Sequence, residues 1–315
     1  MTAHFVIASL GFPAWLRITH FINLLFIGLL IRSGIQVLGA HPRLYWNDAC
    51  NPDKAWLTLT KRKVPKDQLY TSMDDEVSPS SWIAQPGGQN LGLGAIVDPI
   101  RQGLLHRITS RQDYKPSDIT SYFWVNGRPP VSDEFKRLQE NYFADWKLEV
   151  FGLVTNPLHL SLEDLRKLPK QTQITLHNCI QGWSGIGEWG GVPLRYILEL
   201  CGALPEARYL VFTSYQYEMQ SYPHGGRETQ ETLFYEVIDM ELARHPQSIL
   251  AYEMNGKPLP LEHGAPLRLR VETQLGYKMV KYLRSIELVT DYSHIGKGRG
   301  GFREDFQYYG RTAEI

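Results

Sequence analysis

Residues 173–202 form the part of the chain that most constrains its fold. The run QITLHNC is typical of a buried strand and brings Cys179 to the C-terminal end of that strand. A glycine-rich run, IQGWSGIGEWGG, follows it. PLRYILELCG then has the apolar spacing of a helix that begins at Pro193 and ends at Gly202. These runs predict a strand, a tight glycine-rich loop and a helix in succession.

The rest of the C-terminal two thirds consists mainly of short strand-like runs separated by glycine and proline. WKLEVFGLV alternates apolar and polar residues, and Ser161 is placed to cap a short helix in LSLEDLRKLP. Further strands are expected in ARYLVFTSY, in SIELVTD and in LRLRVE, which alternates strictly from Leu267. Many strands and few short helices predict an α+β fold with mixed sheets.

An apolar segment precedes this domain. Residues 18–31 read ITHFINLLFIGLLI, and residues 16–38 could cross a bilayer if His20 is tolerated and Arg32 extends its charge to the surface. A helix lying on the membrane surface is the alternative, whereas a cleavable signal peptide fits poorly. We predict a hydrophobic helix segment at residues 1–45, an irregular linker at 46–113 and a compact domain at 114–315.

The charge balance and the cysteine pattern exclude several classes of protein. Lys plus Arg and Asp plus Glu number 33 each, so no overall field attracts nucleic acid. The three cysteines lie far apart without a CxxC pair, which excludes a zinc ribbon or a thioredoxin motif. Cys201, within the predicted helix, is expected to be a small buried residue.

The glycine-rich run allows several interpretations. Gly185, Gly187 and Gly190 match the GxGxxG pattern of a dinucleotide site, although that pattern should follow its strand directly. Cys179 could instead be a nucleophile with His177 as its base, or a thiolate ligand of a metal such as molybdenum. The residues alone do not decide between a thiolate ligand and a buried structural cysteine.

Two longer runs carry a resemblance to a known family. HNCIQGWSGIGEWGGVPL and LAYEMNGKPLPLEHGAPLRLRVETQLGYKMVKYLRSIEL resemble the molybdenum domain of the sulfite oxidase family, which includes the catalytic subunit of bacterial methionine sulfoxide reductase. The similarity extends from about residue 122 to the C-terminus. It implies a mixed-sheet molybdopterin-binding domain, a molybdenum–molybdopterin cofactor and oxygen-atom transfer to or from a small substrate.

The resemblance also implies roles for individual residues. Cys179 matches the cysteine of the family that ligates molybdenum. The catalytic positions of the family correspond to Cys179 and to Tyr308 or Tyr309. A hydroxyl contact to the cofactor is expected from Thr213 or Ser214, with Ser214 preferred, and Trp183 and Trp189 are expected to wall the pocket. The remaining positions that match cofactor-binding residues of the family are Asn126, His263, Arg268, Met279, Val280 and Lys281, with Met279 and Val280 acting through their backbone.

Departures from the family pattern indicate the branch. Sulfite oxidases follow the metal cysteine with a Gly-Asn-Arg-Arg type run that binds sulfite, whereas this chain has Gln-Gly-Trp-Ser from Gln181. The substrate is therefore expected to be sulfoxide-like or sulfite-like, with the reductase branch the better match.

The N-terminal run PAWLRITHFINLLFIGLLIRSGIQVLGAHPRLYW resembles the first helix of bacterial membrane cytochromes b, in which His20 would ligate heme. No further spans with histidines follow, so we do not expect this chain to complete a heme site. A membrane cytochrome b is the expected electron-transfer partner. Basic residues after the helix, Arg43, Lys54 and residues 61–63, predict a cytoplasmic domain at the membrane.

Two rival hypotheses complete the expectations. The domain could be a non-catalytic remnant of a cytochrome b fusion that survives as a binding module. It could alternatively be a nicotinamide enzyme, in which case NADH should raise its melting temperature.

Overall fold

The computed structural model describes residues 13–65, 69–75, 114–219, 231–306 and Ala313. In these residues the first element is a long helix, α1 (Ala14–Ala40). Its residues Ala14–Arg32 are long and apolar enough to cross a membrane, and none of that window is buried inside the protein. The predicted N-terminal helix is therefore present, and its length and composition are those of a membrane span.

The strands are numbered in the order in which they occur along the chain. They are β1 (Arg43–Leu44), β2 (Leu57–Thr58), β3 (Lys147–Gly152), β4 (Leu158–Ser161), β5 (Gln171–Asn178), β6 (Ser184–Pro193), β7 (Tyr209–Met219), β8 (Glu231–Asp239), β9 (Ser248–Met254), β10 (Lys257–Pro258), β11 (Arg268–Val271) and β12 (Leu283–Val289). The other helices are short: α2 (Ser72–Asp75), α3 (Asp133–Glu140), α4 (Leu162–Lys167), α5 (Leu194–Cys201), α6 (Met240–Ala243) and α7 (Phe302–Phe306).

Two five-stranded sheets form the domain. The first has the order β10-β9-β6-β5, with β11 also paired to β9, and all its pairs are antiparallel. The second has the order β4-β3-β12-β7-β8, in which β12 runs parallel to β3 and the other pairs are antiparallel. This mixed pairing confirms the predicted α+β class.

One hydrophobic core joins the two sheets. It draws on β3, β7 and β12 from the second sheet, on β9 and β11 from the first, and on helix α5. Its fully buried side chains include Trp146, Leu148, Leu194, Phe212, Leu250, Leu269 and Ile286. Burial of this apolar area, at about 25 cal/mol per Å², is the main force that holds the sheets together.

Local signals in the sequence are confirmed where they were clearest. The Ser161 hydroxyl accepts a hydrogen bond from the Asp164 amide and begins α4, while the Asp164 carboxylate accepts from Ser161 in return. Helix α5 follows Pro193 and ends at Gly202, whose φ of 62° is the left-handed conformation that favours glycine.

The glycine-rich segment differs from the prediction. Residues Ser184–Pro193 are not a loop but the central strand β6, paired with β5 on one side and β9 on the other. Gly191 lies against the Leu250 backbone, where a side chain would overlap it. Gly185, Gly187 and Gly190 therefore lie within a strand, so they cannot form the strand-to-helix turn of a dinucleotide site.

Strand β11 is more buried than its alternating sequence indicates. The strand in LRLRVE is present, but all four residues of β11 are buried, so its alternation does not mark one solvated face.

The predicted linker at 46–113 is described only at residues 46–65 and 69–75. There it packs on the domain, through a bridge from Thr71 to Val125 and a hydrogen bond from the Trp124 indole to the Cys50 carbonyl, 2.8 Å.

Candidate active site

Cys179 lies one residue beyond β5 in a tight turn. Its amide donates to the Trp183 carbonyl (2.9 Å), and its carbonyl accepts from the Gly182 amide (3.0 Å). Gly182 has φ 88°, a conformation that glycine adopts most readily. The turn therefore fixes the position of the Cys179 sulfur at the end of the strand, as the sequence predicted.

Two amide side chains surround the Cys179 sulfur. The Asn126 amide Nδ2 donates to Sγ at 3.3 Å, and the Gln181 Oε1 lies 3.9 Å from Sγ. Cys179 is itself buried and packs in a cluster with Trp124, Trp183 and Cys50. The thiol thus lies in a mainly aromatic environment in which the nearby polar groups are neutral.

Phe123 occupies the centre of this aromatic wall. Its ring centroid lies 5.6 Å from His177, 6.0 Å from Trp183, 5.6 Å from Trp189 and 5.5 Å from His263. These rings connect the cysteine turn to the residues expected to hold the pterin. Sequence reasoning did not single out Phe123, because a lone phenylalanine carries no local signal of its partners.

Asn126 joins the cysteine to the first predicted cation. The Lys281 ammonium donates to the Asn126 carbonyl at 2.6 Å and to the Glu262 carbonyl at 3.0 Å. The Ser214 hydroxyl donates to the Lys281 carbonyl at 2.7 Å. The structure therefore gives Ser214 a positioning contact behind Lys281, and the predicted contact of its hydroxyl with the cofactor remains a prediction.

Arg268 is the second predicted cation, and it is buried. Its guanidinium donates to the carbonyls of His263 (2.9 Å) and Met279 (3.4 Å), and it lies 4.9 Å from the centre of the Trp189 ring. Its buried Nε has no hydrogen-bond partner in the described part of the chain. Burial, and then the charge of Arg270, lower the pKa of Arg268 to about 9.

The imidazole of His263 is also kept neutral. Burial, followed by the charges of Lys281 and Arg268, lowers its pKa to about 3. A buried region that disfavours additional positive charge in this way is one that a bound anion would stabilise. The cation pair Arg268 and Lys281, the unpartnered Nε and the nearby thiol fit a phosphorylated cofactor with a thiolate-bound metal.

A second buried network lies behind the first. Arg270 pairs with Glu272 through Nε at 2.9 Å and through a second contact, and its Nη1 donates to the Nδ1 of His177 at 2.9 Å. Because arginine only donates, Nδ1 must accept and the proton of His177 lies on Nε2. Burial, and then Arg270, hold the pKa of His177 well below its usual range.

This network bears on the nucleophile hypothesis. The contact of Nδ1 in the described residues is to Arg270 rather than to the Cys179 thiol. Because Nδ1 already accepts from Arg270 and Nε2 carries the proton, His177 has no ring nitrogen available to accept a proton from a thiol. Sequence reasoning missed the pairing of His177 with Arg270 because it spans 93 residues, although Arg270 stands two residues after the singled-out Arg268.

The remaining predicted residues are placed as follows. Met279 and Val280 are buried in the main core, and their carbonyls accept from Arg268 and from the Leu269 amide. They therefore position the loop segment that carries Lys281, just before β12. Tyr308 and Tyr309 lie outside the described residues. Within the described ranges no group of three or more His, Cys, Asp and Glu side chains could hold a metal ion.

Comparison with known proteins gives a consistent result. Residues 136–295 match the family described as "Oxidoreductase molybdopterin binding domain". A protein of Azospira oryzae named "Putative protein-methionine-sulfoxide reductase subunit YedZ1" is 33% identical over 235 residues, which are 75% of this chain and 77% of the relative. The "Protein-methionine-sulfoxide reductase catalytic subunit MsrP" of Xanthomonas campestris is 32% identical over 184 residues. These residues are 58% of this chain and 56% of the relative.

Other matches include a further sequence relative and a solved structure. The catalytic subunit MsrP of Campylobacter jejuni is 32% identical over 218 residues, 64% of this chain and 71% of the relative. Among solved structures, the sulfane dehydrogenase SoxCD of Paracoccus pantotrophus aligns with a TM-score of 0.39 and 26% identity, over 47% of this chain and 39% of that one. The family match and the sequence relatives show that the chain belongs to the oxidoreductase molybdopterin binding domain family, the sulfite oxidase and MsrP family, and is a molybdopterin-dependent oxidoreductase.

Proposed function

We propose that this enzyme reduces a sulfoxide to a thioether, with two electrons arriving from a membrane cytochrome b and the oxygen leaving as water after uptake of two protons from solvent. When bound, molybdopterin supplies a metal whose change of oxidation state allows an oxygen atom to move to or from a substrate. The observation that carries the proposal is the contact of Asn126 with both the Cys179 thiol and the Lys281 ammonium. This contact brings the metal ligand and the anion-binding residues into one site.

The residues around Cys179 favour a neutral substrate. The predicted metal position is flanked by the side-chain amides of Asn126 and Gln181 and by the aromatic rings of Trp124 and Trp183. Amide N–H groups can donate to a sulfoxide oxygen, and aromatic faces suit the thioether carbons. An anion such as sulfite would require cations at the same place. The names of the curated relatives support a methionine sulfoxide substrate.

Binding of the cofactor is assigned to the buried cations. We propose that Arg268 and Lys281 hold the pterin phosphate, with His263 and the backbone around Val280 lining the pterin. Arg268 can present its planar fork, whereas Lys281 presents a single charge whose stem is fixed by two carbonyl contacts. Trp189, stacked under Arg268, holds that guanidinium in place.

Helix α1 supports the proposal of a membrane electron partner. An unburied apolar helix ahead of the domain supports attachment to a membrane, where a cytochrome b could donate electrons one at a time. The ring Nδ1 of His20 bonds to the Leu16 carbonyl at 2.8 Å, so its Nε2 is the atom that could contact a partner subunit or its heme. A cytoplasmic domain remains our prediction, although Arg43 is buried against Asp75 and contributes little to the local charge.

The test uses the full chain expressed with an intact cofactor pathway. Molybdenum and released pterin would be measured in wild type, in Cys179→Ala and in the matched control Cys201→Ala, which removes a buried structural cysteine. Reduction of methionine sulfoxide peptides by a reduced viologen would then be compared with oxidation of sulfite. We expect metal and sulfoxide reduction in wild type and in Cys201→Ala, with loss of activity in Cys179→Ala.

Three outcomes contradict parts of this proposal. Folded wild type without pterin would support the non-catalytic remnant. Sulfite oxidation that exceeds sulfoxide reduction would overturn the substrate assignment. Activity that survives in Cys179→Ala would refute the assignment of the metal ligand.

A further inference from the structure

Two tryptophans are displayed on the surface directly after α1. Trp46 is 82% exposed and Trp56 is 51% exposed, and their rings stack with centroids 5.1 Å apart and an interplanar angle of 27°. Leu57 and Leu59 beside them are also exposed. A stacked pair of exposed aromatic rings with further exposed apolar residues nearby in the chain indicates a contact with another molecule or with lipid.

The surface is held on a defined scaffold. Strands β1 and β2 pair with Arg43 opposite Thr58, and the Trp56 amide donates to the Leu44 carbonyl at 3.0 Å. The buried Arg43 guanidinium binds Asp75 with its Nε at 2.8 Å and also donates to the Arg62 carbonyl at 2.8 Å. The stacked pair is therefore presented by a fixed hairpin.

The charges around the pair are mostly positive. Residues 46–63 carry the basic Lys54, Lys61, Arg62 and Lys63, all exposed, against the acidic Asp48 and Asp53. The Arg62 guanidinium donates to the Asp74 carbonyl, which keeps this charge at the hairpin. Aromatic rings flanked by basic residues match the headgroup region of a membrane that contains anionic lipids.

We propose that residues 46–63, which we call the Trp46–Trp56 platform, rest in the headgroup region of a lipid bilayer that contains anionic lipids. Helix α1 ends at Ala40 and the platform begins six residues later at Trp46, so the platform starts within roughly 20 Å of the helix end. If the unburied α1 crosses the bilayer, its end lies at the surface where tryptophan is enriched. The platform would add about 1 kcal/mol of attraction for each lysine near anionic headgroups.

The same segment touches the cysteine turn. The Ser184 hydroxyl donates to the Asp48 carbonyl at 2.8 Å, and the Ser184 amide donates to the Cys50 sulfur at 3.2 Å. Trp124, which packs with Cys179, donates to the Cys50 carbonyl. A platform seated on lipid would therefore hold the cysteine turn close to the membrane surface. This inference goes beyond the proposed reaction and does not depend on it.

The first test measures the depth of position 46. The full chain would carry Trp46→Cys labelled with a nitroxide, and Tyr142→Cys, at an exposed site outside the platform, would be the matched control. The three native cysteines are buried, so labelling is directed to the new thiol. In phosphatidylcholine vesicles with phosphatidylglycerol, we expect the ratio of oxygen to nickel-complex collisions to be several-fold higher at position 46 than at position 142.

The second test leaves the platform unlabelled. Quenching of tryptophan fluorescence by brominated lipid would be compared between wild type and the Trp46→Ser/Trp56→Ser double variant, with α1 inserted in both. We expect a smaller quenched signal in the double variant. An aqueous collision ratio at position 46, together with equal quenched signals, would overturn the proposal. Shielding of position 46 only when a cytochrome protein is added would also overturn it and would assign the platform to that protein.

Discussion

Replacing His41 by leucine should make the stability of the protein less sensitive to acid. His41 is buried at the end of α1, where its ring stacks on Tyr45 and meets the edge of Trp124 at 4.9 Å. Neither ring nitrogen has a hydrogen-bond partner in the described residues. Burial lowers the pKa of His41 to about 4, with Asp75 opposing the shift and Arg43 adding to it.

The magnitude follows from the difference between the folded and unfolded states. The unfolded chain binds a proton at His41 near pH 6.5, whereas the folded chain does so only near pH 4. Between these two pH values the unfolded chain takes up a proton that the folded chain does not, so acid favours unfolding. The free energy of unfolding is therefore unaffected by the titration of His41 above about pH 6.5 and decreases as the pH falls towards 4. Between about pH 7 and pH 5 this loss amounts to about 2 kcal/mol.

The measurement is urea unfolding of the detergent-solubilised protein at both pH values, for wild type, His41→Leu and His159→Leu. His159 is exposed on β4 and controls for the loss of an imidazole. The variant His41→Leu should lose about 2 kcal/mol less than wild type on acidification, whatever its stability at neutral pH. Equal losses in wild type and His41→Leu would refute the reasoning, because the buried ring would then be protonated as easily as an exposed one.

The remaining predictions concern the buried charges. Lys278 donates to Glu236 and Glu304 at 2.7 Å each, so Lys278→Met should cost about 3–5 kcal/mol by leaving two buried carboxylates unpaired. Urea unfolding measures this loss of stability, and the double variant Lys278→Met/Glu304→Gln should recover part of it. A Lys278→Met variant as stable as wild type would contradict the prediction. Arg268→Lys should lower pterin retention about tenfold through loss of a charged hydrogen bond. Fluorescence of released pterin measures the retention, with Arg284→Lys as the control. Equal retention in the two variants would refute the role of the Arg268 guanidinium.

The sequence identified features whose cause is local. Ser161 caps α4 through its own neighbour Asp164, and Gly202 ends α5 because the chain needs a left-handed residue there. The strand pattern that precedes Cys179 correctly placed this residue next to the end of β5, which ends at Asn178. Such features depend on a few adjacent residues, so they can be read without knowledge of the fold.

The sequence failed where tertiary pairing overrides local preference. Glycine-rich residues 184–193 have low strand propensity, yet they form β6 because β5 and β9 pair with both of its edges. Gly191 permits the close approach of the Leu250 backbone, a constraint visible only in the folded sheet. The expectation of a loop was reasonable for an isolated segment and wrong for a central strand.

The candidate site shows a similar division. Family resemblance pointed to Asn126, Cys179 and Lys281, and the structure places these three in one chain of contacts. The pairing of Arg270 with His177 could not be anticipated, since it joins β11 to β5 across the first sheet without any local pattern. Long-range contacts of this type require the topology before they can be predicted.

The parallel pairing of β12 with β3 has a consequence for biosynthesis. A ribosome releases Lys147–Gly152 long before Leu283–Val289, and β3 and β7 lack the strand that joins them until β12 has emerged. Arg268 and Lys281 also emerge late, whereas Asn126 and Cys179 emerge early. If Arg268 and Lys281 hold the cofactor as proposed, a nascent chain cannot bind it fully until synthesis has passed Val289, and cofactor insertion would then follow the synthesis of β12.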